Sequence, residues 1–120
     1  MKKAVAVFLG CVLLAGLFVG GAAAAEKHKV YLITMDQMDQ HWVTVNAGAE
    51  KAVAELGTID YKWLAPDVKD DAKQIEAVNN AVAGGAEVLL VAANGPTAIS
   101  AALKEASEAG VKIVYVDSPA

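Results

Sequence analysis

Residues 87–119, EVLLVAANGPTAISAALKEASEAGVKIVYVDSP, decide the fold. The run Val88-Leu89-Leu90-Val91-Ala92-Ala93 is apolar without alternation, Asn94-Gly95-Pro96 breaks it, and Ile99, Ala102, Leu103, Ala106 and Ala109 then recur at helical spacing before a second apolar run, Val111 to Val116. Continuous apolar strands suit a parallel sheet covered on both faces, and parallel neighbours need a crossover helix. The stretch is therefore one βαβ unit. It closes on Asp117-Ser118-Pro119. A carboxylate at the carboxyl end of a parallel strand faces the crevice in which open α/β sheets bind ligands.

Working outward, the same grammar repeats. Val30 to Thr34 forms a short apolar strand after the polar lead-in Glu26-Lys27-His28-Lys29. The loop Met35 to His41 follows, with Asp39 as the N-cap of a helix that presents Trp42, Val45, Ala49, Ala52, Val53 and Leu56 on one face and stops at Gly57. Ile59 to Leu64 reads as a strand near the sheet edge. The acidic segment Asp67 to Asp71 leads into a helix whose buried face carries Ile75, Val78 and Val82 and which ends at Gly84-Gly85. The sum is an α/β chain, βαβαβαβ. Right-handed crossovers predict a doubly wound parallel sheet of strand order 2-1-3-4, with a ligand crevice where the order reverses between strands one and three. The candidate binding residues are Asp36, Asp39, His41 and Trp42 in the first loop, Asn94 after strand three, and Asp117 with Ser118 after strand four.

The first 25 of the 120 residues stand apart. Lys2 and Lys3, the uncharged run Ala4 to Val19, and the small residues Gly20 to Ala25 have the three regions of a secretory signal peptide, with cleavage expected after Ala25. The single cysteine, Cys11, lies inside that apolar run, so the mature segment 26–120 has no thiol for a disulfide or a metal site. Two of the ten basic residues also go with the leader, leaving eight against fourteen acids. Such an acidic domain repels phosphate backbones, which excludes nucleic acid as a partner.

Catalytic signatures are missing where they would be needed. The turn after strand one has no glycine, so a G-x-G-x-x-G pyrophosphate cradle is absent, and there is no Walker sequence or G-x-S-x-G elbow. Ala92-Ala93-Asn94 occupies the place of a phospho-acceptor aspartate. The two histidines, His28 and His41, have no metal-ligand spacing, and no metal or cofactor is expected. Asp117 as the general base of a small exported enzyme stays open as an alternative, as does a sensory or scaffold lobe.

Several segments carry a family resemblance. Gly48-Ala49-Glu50-Lys51-Ala52, Glu55-Leu56-Gly57, Gln74-Ile75-Glu76, Gly85-Ala86-Glu87-Val88-Leu89-Leu90-Val91 and Glu108-Ala109-Gly110-Val111 leading to Val116-Asp117 together resemble the type I periplasmic sugar-binding proteins of ABC transporters, nearest the ribose-binding branch. The resemblance implies a sugar or polyol ligand, a membrane permease partner and no catalysis. It gives Trp42 a ring-stacking role, shared by His41, gives Asp39 a hydroxyl contact, and makes Asp117 the acceptor of two sugar hydroxyls. Ala92 and Ser118 replace an Asn and an Arg of the ribose branch, leaving pentose, hexose, inositol and sugar-like signal all open. Since that family closes two lobes on its ligand, residues 26–120 are expected to be most of one lobe, an incomplete form that binds sugar only weakly alone.

Overall fold

The computed structural model describes residues 24–120; the expected signal segment lies almost wholly outside them. Seven elements follow in order: β1 (His28–Ile33), α1 (Gln40–Leu56), β2 (Ile59–Leu64), α2 (Asp71–Ala83), β3 (Val88–Val91), α3 (Pro96–Glu108) and β4 (Lys112–Tyr115). All strands are parallel, in the order β2-β1-β3-β4. The doubly wound sheet is thus the one the apolar runs predict.

Local chemistry sets the boundaries. The Asp39 carboxylate accepts the His41 N–H at the start of α1, and Gly57, at φ 69°, ends it in the left-handed conformation. Asp70 caps α2 through the Lys73 N–H at 2.8 Å. Pro96 opens α3, where a missing N–H costs nothing. β1 begins two residues before the apolar run, because the Glu87 carboxylate reaches His28 Nδ1 at 2.8 Å and the Lys29 N–H at 3.2 Å, so this polar end joins the ladder beside Ile59.

The main core lies on the face shared by α2 and α3. Tyr31, Ile33, Leu89 and Val91 from the sheet pack there with Ala77, Val78 and Ala81 of α2 and Ile99, Leu103 and Ala106 of α3. The expected α3 stripe is buried apart from Ala109, which is the helix cap. On α2 the buried face is rotated from Ile75-Val78-Val82 to Gln74-Ala77-Val78-Ala81. Small alanines let α3 approach α2, and the Gln74 amide finds partners at the top of the sheet.

The other face is covered less completely. Among the described residues α1 is the one helix there, and it buries only Trp42 and Asn46 of its seventeen residues. Val45, Ala49 and Val53 of the expected stripe are half-buried, Ala52 is exposed and Leu56 is 64% exposed. Ala49, Ala52, Val53 and Leu56 line an open apolar groove with Val30, Ile59, Tyr61 and Leu90. β4 is an edge strand with Val114 and Tyr115 exposed.

Candidate functional site

The reversal of strand order falls between β1 and β3. Their ladder ends at Ile33 beside Val91, after which one chain leaves toward α1 and the other toward α3. The seven expected site residues lie around this split, but the protein uses them in different ways.

Asp36 is 4% exposed, and its Oδ1 accepts the N–H groups of Met38 at 2.8 Å and Asp39 at 2.7 Å. It shapes the loop. Two bonds fix it from below: Thr34 Oγ1 donates to the Asp36 carbonyl at 3.0 Å and accepts the Trp63 indole N–H at 2.8 Å. Gln37 N–H, donating to the Pro66 carbonyl, ties the same loop to the end of β2. Asp39 is committed to capping α1, and Lys69 stands 3.9 Å from Asp36 and 3.6 Å from Asp39. The His41 N–H, with Lys69, holds the Asp39 carboxyl below its ordinary value.

His41 and Asp117 are brought together. His41 Nε2 lies 3.8 Å from Asp117 Oδ1, and both side chains are about half exposed at the rim. Asp117 has φ 64°, the one non-glycine residue in the left-handed region among those described. Ser118 N–H donates to the Val116 carbonyl at 2.7 Å, closing a tight γ-turn with Asp117 at its apex. The turn is clamped to the loop after β3, since Ala93 N–H donates to the Ser118 carbonyl and Ser118 Oγ donates to the Ala93 carbonyl. The Ser118 hydroxyl proton is therefore already used inside the protein.

Trp42 is 3% exposed and meets the His41 ring edge-on, with centroids 4.6 Å apart. Of the two rings expected to stack on a ligand, Trp42 is buried and His41 is the one exposed at the rim. Asn94 is half-buried, with its side-chain amide donating to Asp71 Oδ1 at 2.5 Å. The sequence reading missed Asp71, Lys69, Thr34 and above all Gln74. A glutamine one position before an apolar helical stripe was the available signal.

This arrangement offers a carboxylate and an imidazole at the carboxyl end of the sheet, on loops cross-braced from below. It can accept hydroxyl hydrogens and orient a small polar molecule. The class so defined is a doubly wound α/β lobe, a fold whose ligands are generally bound at the strand-order switch.

Residues 30–120 match the family model described as periplasmic binding protein domain, and the chain belongs to that family. It is 26% identical, over 98% of its length and 32% of the relative's, to the multiple sugar-binding periplasmic receptor ChvE of Rhizobium radiobacter. Among solved structures it resembles a periplasmic sugar-binding protein of an ABC sugar transporter from Legionella pneumophila, at TM-score 0.72 and 32% identity, covering 78% of this chain and 34% of that one. An ABC transporter solute-binding protein from Agrobacterium vitis, bound with α-D-tagatopyranose, aligns at TM-score 0.74 and 25% identity over 78% of this chain and 31% of the other. The chain spans about a third of the length of these relatives.

Proposed function

We propose that the chain is the N-terminal lobe of a solute-binding protein serving an ABC-type sugar importer, and that it binds a monosaccharide or related polyol without catalysis. One observation carries this reading. Asp117 is held in a left-handed γ-turn at the carboxyl end of β4, with its carboxylate at the rim beside His41. A non-glycine residue kept in that conformation by two bonds to the loop after β3 is a backbone arranged to aim one side chain. A carboxylate accepting two hydroxyl hydrogens makes charge-assisted bonds that fix a neutral ligand's orientation. Asn94 and Asp39 would serve as supports of the crevice, Trp42 as the wall behind His41, and Asp36 and Ser118 as loop-shaping residues. The kinship with sugar-binding relatives favours a sugar over other small solutes, and a membrane permease is the partner it implies.

A second lobe would complete the site, because tight sites bury most of a small ligand's surface. The test is a panel of pentoses, hexoses and inositols screened by thermal shift on a chain that carries both lobes. A ligand that binds only the folded state raises Tm with concentration, and Asp117→Asn should abolish the rise. No shift with any sugar in the unmutated protein refutes the reading.

Residues 1–25 complete the proposal as a cleaved export signal, giving a periplasmic or cell-surface protein. The intact mass of exported protein should correspond to a chain beginning at Glu26, and residues 1–25 still attached would refute this.

A further inference from the structure

Gln74 lies in the first turn of α2 and is fully buried at the point where β1 and β3 part. Its Nε2 donates to the Thr34 carbonyl at 3.1 Å and to the Ala92 carbonyl at 2.8 Å, and its Oε1 accepts the Asn94 N–H at 2.9 Å. Thr34 and Ala92 are the first residues beyond the β1 and β3 strands; the Ala92 N–H still donates to the Ile33 carbonyl at 2.9 Å, and from there the two chains diverge, leaving the Thr34 and Ala92 carbonyls to Gln74. A parting of strands leaves backbone groups inside the protein without partners, and such groups must be satisfied.

A primary amide has two N–H donors and two acceptor lone pairs on one plane, so it answers two carbonyls and one N–H with a single group. Other side chains of this length do not. An ionised glutamate keeps the acceptor for Asn94 but turns an anionic oxygen toward the two carbonyls, and methionine fills the space with no strong donor or acceptor.

The bonds on either side extend this bridge to the crevice. Thr34 carries the Asp36 carbonyl through its hydroxyl, and Asp36 in turn holds the Met38 and Asp39 N–H groups. Ala93, between Gln74's two partners on the other side, is doubly bonded to Ser118 and so fixes the Asp117 turn. Thr34, which Gln74 holds by its carbonyl, is thus one of the supports of the first loop, beside the bond from Gln37 to Pro66 and the Lys69 ammonium.

We propose that Gln74 is the positioning residue of the ligand crevice, setting the first loop and the Asn94 and Asp117 loops at their working separation before any ligand arrives. Its effect on binding rests on the sugar-site reading above; its effect on the loops does not.

The experiment compares residue-resolved amide hydrogen exchange of the ligand-free full chain in the unmutated form, Gln74→Met, Gln74→Glu and a control, Leu103→Ala, which lowers global stability from the α3 core. In Gln74→Met the Asn94, Met38 and Asp39 amides, and in Gln74→Glu the Met38 and Asp39 amides, should exchange at least about tenfold faster, while Leu89 and Val91 change only as global stability dictates. Leu103→Ala should leave the three loop amides unmoved, because local openings are independent of global unfolding. Loop protection in the folded Gln74 variants equal to the unmutated chain overturns the proposal. The unmutated protein supplies an arm that requires no variant: the Gln74 side-chain NH2 protons should exchange far more slowly than those of exposed Gln40, and solvent-like exchange overturns the proposal even if the variants do not fold. In the two-lobed protein, sugar affinity should drop at least about tenfold for Gln74→Met and stay unchanged for Leu103→Ala. Absence of sugar binding in the unmutated protein would refute the sugar-site reading alone, the exchange measurements still deciding the role of Gln74.

Discussion

Asp117 carries two separable demands, a backbone conformation and a charge. Left-handed φ costs an ordinary L-residue about 1–2 kcal/mol, least for glycine and reduced for Asp and Asn, whose short polar side chains tolerate it. Asp117→Ala should therefore lower stability by about 1 kcal/mol, while Asp117→Asn and Asp117→Gly should lie within about 0.5 kcal/mol of the parent. Urea unfolding gives that order, and calorimetry with the cognate sugar should show binding lost in all three. Alanine as stable as aspartate would mean that the turn is not strained, and binding retained by glycine would remove the carboxylate from the site. The position of this acid was legible in the sequence because it follows an apolar run directly. Its turn was not, because the local bond from Ser118 to Val116 is held closed by the clamp to Ala93, which is a tertiary fact. The same holds for Asp36, whose carboxylate looks free in sequence and is occupied by two N–H groups of its own loop.

At the scale of elements, legibility follows how local the cause is. Asp39 and Gly57 mark the ends of α1 because capping is settled within a few residues, and both fall where expected. The buried faces of α1 and α2 depend on what lies opposite, and both depart from the hydrophobic stripe. Gly57 has φ 69° and open space where a Cβ would go, so Gly57→Ala isolates the conformational cost. Thermal or urea unfolding should show a loss of about 1 kcal/mol, and no loss would mean that α1 ends differently in solution. Acid should act on three surface carboxylates. Asp39 is held below its ordinary 3.8 by the His41 N–H and Lys69, Asp67 by the hydrogen bond and charge of Lys73, and Glu87 below its ordinary 4.5 by the hydrogen bond from His28. A carboxylate with a depressed folded pKa contributes stability that is fully present above its unfolded value and lost as pH falls through the folded one. Tm is therefore expected to fall progressively below about pH 4.5, and neutralising all three residues as amides should flatten that part of the curve. An unchanged acid limb in the triple variant would place the sensitivity elsewhere.

Across the whole molecule the two faces of the sheet are unequal. One holds two helices on a closed core, and the other holds α1 over an open apolar groove, with Val114 bare on edge strand β4. The crossover rules already imply this imbalance, since β2 to β3 and β3 to β4 run in one direction and β1 to β2 in the other. Because α1 is anchored mainly at its N-terminal end, by Trp42 and the Asn46–Tyr61 hydrogen bond of 2.7 Å, its last turns should lift away without disturbing the core. A protease would find that first. Lys51 sits exposed in this stretch, ahead of Ala52 and Leu56, whereas Lys73 is paired with Asp67 at 2.6 Å on the braced side. Limited trypsin digestion should clip the folded region after Lys51 before any lysine of α2 or α3, and covering the groove with a partner should protect that bond. Initial cleavage at Lys73 or Lys104 would show that α1 is held as firmly as its neighbours. The groove thus makes one helix of the lobe its proteolytic weak point, and the nick a direct gauge of whether that face is occupied.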